Sequence, residues 1–370
     1  NLLSEEEKET LSWGYIQRNE NGDMSGFMDA PRAPVKDQWS PRLGVGYPIT
    51  DRTAFHFSYG QFYQFPDLVN MYNYSNYQGE GISPPGWSDE ANDLAKDFLY
   101  GNPYYPFPYN ITDWYIPEVG TPNVKPQRSV QYETGLRTRI GNQYLLTANL
   151  YYKDMFDYIA SKRYDADPSQ YAIYENMDYA NSRGLEITLK KLFSNGFDWD
   201  LNYTLARAEG NAPTPDYHWY VAEWASGYDW RDFNRTYTMP WDQTHTINFR
   251  LNYFTPTGFG LSSIANYGSG LPYTPEDARA RPIDEQYSGR MPSTSNVNLK
   301  LFYDRKMMGY DIRFFADITN LFDKENVLAV DNTTGEPDAT LDSGQSPMVV
   351  WKPYYISAPR HIELGISISR

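Results

Sequence analysis

The residues best suited to contact a small molecule form an aromatic cluster in the segment 208–240. His218 lies there among several rings, with polar side chains such as Asp216 and Arg231 interspersed. Exposed rings stack on sugars, peptides or flat chelates, and polar neighbours supply hydrogen bonds. The alternative is that these rings pack the segment on itself. A second aromatic group lies earlier in the chain, and the candidate binding residues from both groups are Trp219, Tyr220, Trp224, Trp230, His218, Trp87 and Trp114.

The sequence contains no comparable pattern of residues for catalysis or for metal binding. The four histidines, His56, His218, His245 and His361, fall in separate segments without the spacing of a metal site. Cysteine is absent, which excludes thiol catalysis, disulfides and cysteine-based metal sites. We therefore expect no enzyme activity, no catalytic residue, no metal site and no cofactor. Calcium held by the acidic loop 331–342 is the alternative, although its spacing matches no known calcium loop.

The composition narrows the class of protein. The chain of 370 residues carries a net charge of −15, which disfavours binding to nucleic acid phosphates. Aromatic residues make up 17% of the chain, a share typical of proteins with an interface to cover. No apolar run is long enough for a transmembrane helix, and no signal peptide is visible at the start. Because the first residue is Asn1 rather than Met, we expect a processed or partial product.

Alternating apolar and polar residues recur along the chain and predict β-strands. In the closing segment 361–369, Ile362 and Leu364 lie on one face, and His361 and Glu363 lie on the other. About eleven segments show this period of two. Most of them approach the length of about 9–11 residues that a tilted strand needs to cross a bilayer.

The connections between these segments alternate in length. Short connections, such as 48–52 and 141–143, alternate with long ones at 61–128, 157–181, 208–240, 268–294 and 321–359. One end of the sheet would then carry tight turns and the other large loops. This asymmetry is typical of outer-membrane barrels, which have short periplasmic turns and long extracellular loops.

A soluble all-β protein is the competing interpretation, since a propeller or a sandwich also shows alternation. A propeller should repeat a blade signature at a fixed period, and no such repeat is found. The mean hydropathy of −0.68 does not decide between the two, because a membrane barrel keeps a polar lumen and polar loops. The ordered succession of strands and connections favours the membrane barrel.

Several short motifs occur in a fixed order and are similar to those of one family. They are WSPRLGV at 39–45, FSYG at 57–60, KPQRS at 125–129, YETGL at 132–136, SRGLE at 182–186, WDQTHT at 241–246, NLFD at 320–323 and the closing strand. Together they resemble the C-terminal barrel half of TonB-dependent outer-membrane receptors, the energised importers of Gram-negative bacteria. The glycine within 182–186 lies where neighbouring backbone can approach, so we expect this motif to be scaffold rather than ligand contact.

The resemblance implies a 22-stranded barrel whose lumen is filled by an N-terminal plug. About eleven strands are recognisable here, and nothing resembles the plug or the TonB-box. We therefore expect an all-β, antiparallel transmembrane barrel, of which this chain supplies half. The expected organisation is an outer loop or entry segment at 1–39 and the C-terminal barrel half at 40–370, with the plug outside this chain.

The closing strand departs from the family pattern at one position. Gly365 and Ile368 match it, but Arg370 stands where an aromatic residue belongs. A lipid-facing arginine is tolerated only near the interface. We therefore expect the native chain to continue past Arg370, and the alternative is that this barrel departs from the family pattern.

The resemblance also implies the activity and the partners. The expected function is TonB-dependent active uptake of a scarce nutrient, with loops that capture the substrate. The expected partners are a TonB-type energy-transducing complex reached through the plug, the remaining barrel half, outer-membrane lipid and a surface lipoprotein. Two alternatives stay open, a non-transporting barrel that anchors a surface or secretion assembly and a soluble carbohydrate-binding β-protein. The substrate is open among iron chelate, cobalamin, oligosaccharide and peptide.

Overall fold

The structure is a computed structural model that describes most of the chain. The described residues are 16–18, 24–27, 33–72, 118–164, 171–214, 235–277, 282–341, 348–351 and 353–370.

Strands dominate the described residues. There is one short helix, α1 (Leu68–Tyr72), and one 3-10 helix (Pro353–Tyr355) in these ranges. The strands are β1 (Ile16–Arg18), β2 (Met24–Phe27), β3 (Arg42–Pro48), β4 (Thr53–Gln64), β5 (Glu118–Val119), β6 (Gln127–Ile140), β7 (Tyr144–Tyr164), β8 (Tyr171–Ser194), β9 (Phe197–Gly210), β10 (Tyr237–Thr238), β11 (His245–Phe254), β12 (Phe259–Gly268), β13 (Pro272–Tyr273), β14 (Gly289–Arg290), β15 (Thr294–Met307), β16 (Tyr310–Thr319), β17 (Asp338–Leu341), β18 (Met348–Trp351) and β19 (His361–Ser369).

One large sheet of 13 strands organises the molecule. Two of its strands are short side attachments, since β10 pairs only with β9 and β5 pairs only with β8. The other eleven form a continuous antiparallel series in the order β19–β16–β15–β12–β11–β9–β8–β7–β6–β4–β3. The prediction of an all-β antiparallel sheet of about eleven strands is confirmed. The sheet is open among the described residues, where β3 and β19 each have a single neighbour.

The outward face of this sheet is apolar and exposed. Residues directly opposite each other on neighbouring strands point to the same face of the sheet. Leu364 lies opposite Ala316, which lies opposite Leu301, so these three side chains share the outward face. Leu364 is 76% exposed and Ile366 is 62% exposed. A whole face of exposed aliphatic and aromatic side chains is unstable in water, and it is the surface that lipid requires.

The inward face carries amides, hydroxyls and ion pairs. Arg313 pairs with Asp304 at 2.6 Å, and Lys300 pairs with Asp317 at 2.9 Å. Phe315 also points inward, and Gly365 lies directly opposite it on β19. A Cβ at Gly365 would overlap the ring of Phe315, so only glycine leaves room for that ring.

The turns and loops separate to the two ends of the sheet. Two of the tight turns use an Asn-Gly or Met-Gly pair with positive φ, at Asn195 (54°) and Gly196 (84°) and at Met308 (52°) and Gly309 (81°). Positive φ at both central residues gives the turn whose twist matches a hairpin. Long connections join the strands at the opposite end.

The connection predicted as a long loop at 157–181 is different in the structure. Here β7 continues to Tyr164 and β8 starts at Tyr171, so most of this segment is a paired hairpin. A register shift occurs between Met155 and Tyr158, where Asp157 has a φ of 59°. Above this bulge the hairpin therefore extends farther than the neighbouring strands. It does so at the end of the sheet that carries the long connections.

Packing on both faces explains why the sequence did not indicate this projecting hairpin. Ile159, Ala160 and Ser161 are consecutive and are all at most 2% exposed. Val124 packs against Ile159 and Tyr174, so residues that precede β6 cover one face. A strand buried on both faces carries no alternation to reveal it.

A side-chain clamp holds the covering segment in place. Asn176 donates from Nδ2 to the carbonyl oxygen of Lys125 at 2.9 Å and to that of Asp157 at 2.7 Å. Its Oδ1 accepts from the backbone amide of Lys125 at 2.6 Å. Lys36 donates from Nζ to the carbonyl oxygen of Pro122 at 2.6 Å. The long-connection end thus includes a packed unit.

The first part of the chain contributes little to the sheet. Of the predicted entry segment 1–39, the structure describes a small antiparallel pair, β1 with β2, and residues 33–39. The first strand of the large sheet begins at Arg42. The boundary between 39 and 40 stays a prediction.

Candidate functional site

The predicted site residues lie outside the described residues. They are Trp219, Tyr220, Trp224, Trp230, His218, Trp87 and Trp114. The segment that carries the first five begins after β9, and β10 pairs back onto the end of β9. The segment that carries the other two connects β4 with its sheet neighbour β6. Both segments therefore start and finish at the long-connection end, and their role in binding stays a prediction.

A recess of about 480 Å³ lies on the inward face near that same end. It is formed at the start of β11 and β15 and at the end of β12 and β16, beside the long connections that join these strands. Amide, hydroxyl and small side chains predominate in its lining, together with the larger apolar groups of Leu328 and Tyr267, and none of the described lining residues is charged: Gln243, Thr246, Asn248, Asn266, Tyr267, Gly268, Thr294, Ser295, Asn296, Asn298, Thr319, Asn320, Asn326, Leu328, Ser357, Ala358 and Pro359.

Two buried asparagines shape the lining of this recess. Asn320 donates from Nδ2 to the carbonyl oxygens of Lys324 at 3.0 Å and Ala358 at 3.1 Å. Asn326 accepts from the amide of Ser295 at 2.8 Å and donates to the carbonyl oxygen of the same residue at 2.9 Å. These bonds fix the long connection after β16 against the start of β15.

Other amides present hydrogen-bonding groups to the recess. Asn266 donates to Oδ1 of Asn248 at 2.6 Å, and Asn296 donates to Oδ1 of Asn298 at 3.0 Å. Oδ1 of Asn296 is buried and has no hydrogen-bond partner within the described part of the protein. Such a surface can exchange hydrogen bonds with a polar guest, and no carboxylate, imidazole, ammonium or guanidinium group is among the described side chains that line it.

The motif 241–246 forms the support beside the recess. The side chain of Asp242 is 1% exposed and pairs with Nη2 of Arg290 at 2.7 Å. It also accepts hydrogen bonds from the amide of Ala208 at 2.7 Å and from the hydroxyl of Thr244 at 3.1 Å. Gln243 follows in the chain and accepts from the hydroxyl of Thr246 at 2.9 Å. Asp242 therefore joins β9, β14 and the residues just before β11, and its buried carboxylate is not available to a ligand.

The three described histidines lie in separate parts of the sheet. His56 lies 3.5 Å from Glu133, and His245 lies 3.0 Å from the hydroxyl of Tyr203, on which it stacks. His361 is exposed at the start of β19.

No metal-binding group is evident in the part of the chain that the structure covers. Within it, no three His, Asp or Glu side chains come together in a way that could hold a metal ion. In the acidic loop, Oδ1 of Asp331 accepts from the amide of Thr333 at 3.0 Å. The side chains of residues 338–342 lie outside the described set. Calcium binding in this loop stays a prediction.

The sheet topology and the two opposite faces agree with a sequence comparison. The profile of the family described as "TonB dependent receptor-like, beta-barrel" matches residues 13–321 of this chain. The chain belongs to this family. No curated protein is significantly similar to it in sequence.

Solved structures of such receptors share the fold. The ferric enterobactin receptor of Pseudomonas aeruginosa (mutant R480A, in complex with enterobactin) aligns with 16% identity and a TM-score of 0.54, over 89% of this chain and 40% of its own. The outer membrane transporter YddB of Escherichia coli aligns with 12% identity and a TM-score of 0.52, over 79% and 38%. The FrpB iron transporter of Neisseria meningitidis aligns with 11% identity and a TM-score of 0.50, over 88% and 38%. This chain spans about two fifths of the length of these receptors.

Membership of the receptor family places the barrel in the bacterial outer membrane and orients it. The soluble alternative is therefore wrong. In such barrels the tight turns face the periplasm and the long connections face the exterior. The recess then opens on the lumen in its outer part. No helix among the described residues is long and apolar enough to span a membrane.

Two tyrosines beyond the apolar belt have raised pKa values. Tyr158 lies in the projecting hairpin, where burial raises the pKa of its hydroxyl. Tyr179 donates to Oδ1 of Asp154 at 2.6 Å. Burial, and then this hydrogen bond and the charge of Asp154, raise the pKa of Tyr179. Both hydroxyls stay neutral donors over the physiological pH range.

Sequence reasoning did not single out the residues of the recess. The signal available was their place in the strands, because residues such as Asn248, Asn266 and Asn296 occupy polar-face positions close to long connections. Which of several polar-face positions converge depends on the register between strands. The sequence alone does not specify that register.

Proposed function

We propose that this receptor takes up a scarce nutrient actively across the outer membrane. The observation that carries the proposal is the difference in polarity between the two faces of the sheet. The outer face suits lipid, and the inner face offers an uncharged recess of about 480 Å³ beside the long connections. A wall that only anchors an assembly has no need of such a recess.

The sequence of events follows from the positions of these parts. The long connections, with the aromatic residues at 217–230 and in 87–114, capture the nutrient from outside. The nutrient then passes along the amide and hydroxyl surface of the lumen. A TonB-type complex supplies the energy through contact with a plug domain. Solved structures of the same fold are named as a ferric enterobactin receptor and an iron transporter, which supports a scarce nutrient as cargo.

Uptake by cells tests this proposal. A strain that depends on the intact receptor would be given radiolabelled ferric siderophore, cobalamin, oligosaccharide or peptide in turn. We expect accumulation of one class, and we expect it to stop when an uncoupler removes the proton-motive force. Uptake of none of them by a receptor that is correctly inserted would overturn the proposal and favour the anchoring role. Uptake that survives the uncoupler would overturn TonB dependence.

The recess offers a second, sharper test of the same proposal. Replacing Asn248 by Leu removes an amide from the wall without adding charge. We expect transport to fall by roughly tenfold while the amount of inserted receptor stays unchanged, because two or more hydrogen bonds to a polar guest are lost. Thr147→Leu, a polar-face position on β7 outside the recess, is the matched control.

A further inference from the structure

Two arginines lie side by side on the outward face of the sheet. Arg183 on β8 and Arg207 on β9 are directly opposite each other. Leu185 and Leu205 form another directly opposite pair, two residues nearer the tight turns on each strand. Side chains two residues apart on a strand point to the same face, so the arginines face the same side as these leucines. Both arginines therefore belong to the lipid-facing side and not to the lumen.

Their height corresponds to the outer edge of the apolar belt. Strand β9 starts at Phe197 beside a tight turn, so Leu205 is its ninth residue and Arg207 its eleventh. A tilted strand crosses the hydrocarbon core in about 9–11 residues. Arg183 lies opposite Tyr152, which is 38% exposed, and tyrosine favours the level of the head groups. The arginine pair thus lies at the external leaflet.

The local charges leave this arginine pair with spare hydrogen-bonding capacity. Like charges that are directly opposite on neighbouring strands repel each other. Glu209 partly compensates, since its carboxylate lies 3.0 Å from Nη2 of Arg183 and 2.6 Å from Nη2 of Arg207. Glu209 is 17% exposed at its side chain, whereas Arg183 is 44% and Arg207 is 59% exposed. One carboxylate therefore lies beneath two cations that project outward.

Among the described residues, the groups around the pair do not neutralise that excess. Nη1 of Arg183 donates to Oδ1 of Asn181 at 3.1 Å, a neutral partner. The next carboxylate on this face, Asp154, lies opposite Asn181 and accepts the hydroxyl of Tyr179 at 2.6 Å. Each guanidinium has five N–H donors, so both arginines keep N–H groups beyond those that contact Glu209 and Asn181.

We propose that Arg183 and Arg207 bind a phosphate group carried by a lipid of the external leaflet. Two guanidinium groups at one level form a fork for phosphate oxygens, and the low polarity beside the hydrocarbon strengthens such charged contacts. The bound lipid would fill the space outside β8 and β9, with its acyl chains along Leu185 and Leu205. This site is separate from the lumen and does not depend on what the receptor transports.

Binding measurements on the intact receptor test this site. The receptor would be stripped of lipid in a nonionic detergent, and bis-phosphorylated lipid A would be added while native mass spectrometry counts the bound lipid. We expect saturable binding that weakens by at least tenfold in R183Q/R207Q. The variant R183K/R207K should bind with intermediate affinity, because lysine keeps the charge and loses the fork. The matched control is R305Q, an exposed outward-facing arginine near the tight-turn end.

Two further arms distinguish the source of the phosphate. Lipid A from which both phosphates have been removed should bind no better than the detergent background, and inorganic phosphate at millimolar concentration should not displace the intact lipid. The proposal would be overturned by equal binding of the dephosphorylated lipid, by displacement with inorganic phosphate, or by unchanged affinity in R183Q/R207Q. Heat-modifiable migration on a gel would verify that each variant is folded.

Discussion

Single residues on the inner face show how tightly this receptor specifies some positions. Asp242 is almost fully buried and joins β9, the start of β11 and β14 through three partners. Gly365 makes room for the ring of Phe315. The sequence marked both residues through motifs, yet the partners that explain them are distant in the chain and follow only from the register of the sheet.

Removing the carboxylate of Asp242 should destabilise the barrel wall strongly. In Asp242→Ala the amide of Ala208 and the hydroxyl of Thr244 lose their acceptor, and each buried group left unsatisfied costs about 1–3 kcal/mol. The guanidinium of Arg290 is 40% exposed and regains water, so its loss adds little. The midpoint of urea unfolding in detergent micelles measures the loss. Asp51→Ala provides the control, because that side chain is 85% exposed. Equal midpoints for the two variants would contradict the role of Asp242 as a junction.

A methyl group at Gly365 should also destabilise the wall, for a steric reason. In Gly365→Ala the new Cβ overlaps the ring of Phe315, and overpacking costs about 1–3 kcal/mol. The temperature at which the heat-modifiable gel band disappears reports the change. Gly44→Ala on β3 has open space around it and should be neutral. Adding Phe315→Ala to Gly365→Ala should relieve the overlap, and a failure to do so would show that the ring is not the cause.

At the scale of elements, the sequence predicted the strands well and the projecting hairpin badly. Strands with one lipid face and one polar face, such as β16 and β19, are recognisable in the sequence because apolar and polar residues alternate along them. The ends of β7 and β8 are buried on both faces, so Ile159, Ala160 and Ser161 carry no such signal. The recess was missed for a related reason, because its lining comes from four strands that only the register brings together.

The clamp at Asn176 should hold the covering segment on the hairpin. In Asn176→Ala three hydrogen bonds are lost, and each contributes about 0.5–1.5 kcal/mol. We expect amide hydrogen exchange at 120–126 to accelerate while exchange in β11 and β12 stays slow. Asn142→Ala, in the exposed turn at the other end of β7, should change neither. Faster exchange throughout the sheet would show a global effect instead of local release.

At the scale of the whole molecule, the outward face determines where the protein can be stable. Leu364 projects from β19 and is 76% exposed. In lipid, Leu364→Arg should cost about 2–4 kcal/mol if the position is near the midplane, and Leu364→Ala should cost far less. Reversible unfolding in phospholipid vesicles measures both. A water-exposed surface would tolerate the two variants equally, so equal stabilities would contradict the assignment of this face to lipid.

The uncharged lining of the lumen recess has a consequence for ionic strength. Raising salt from 0.1 M to 1 M shortens the Debye length from about 10 Å to about 3 Å and weakens contacts between exposed charges. Hydrogen bonds between neutral amides and a polar guest are nearly insensitive to this change. A nutrient held by Asn248, Asn266 and their neighbours should therefore keep its affinity across that range, as calorimetry on the purified receptor would show. The recess would then work alike in dilute and in saline surroundings, although the chain as a whole carries a charge of −15.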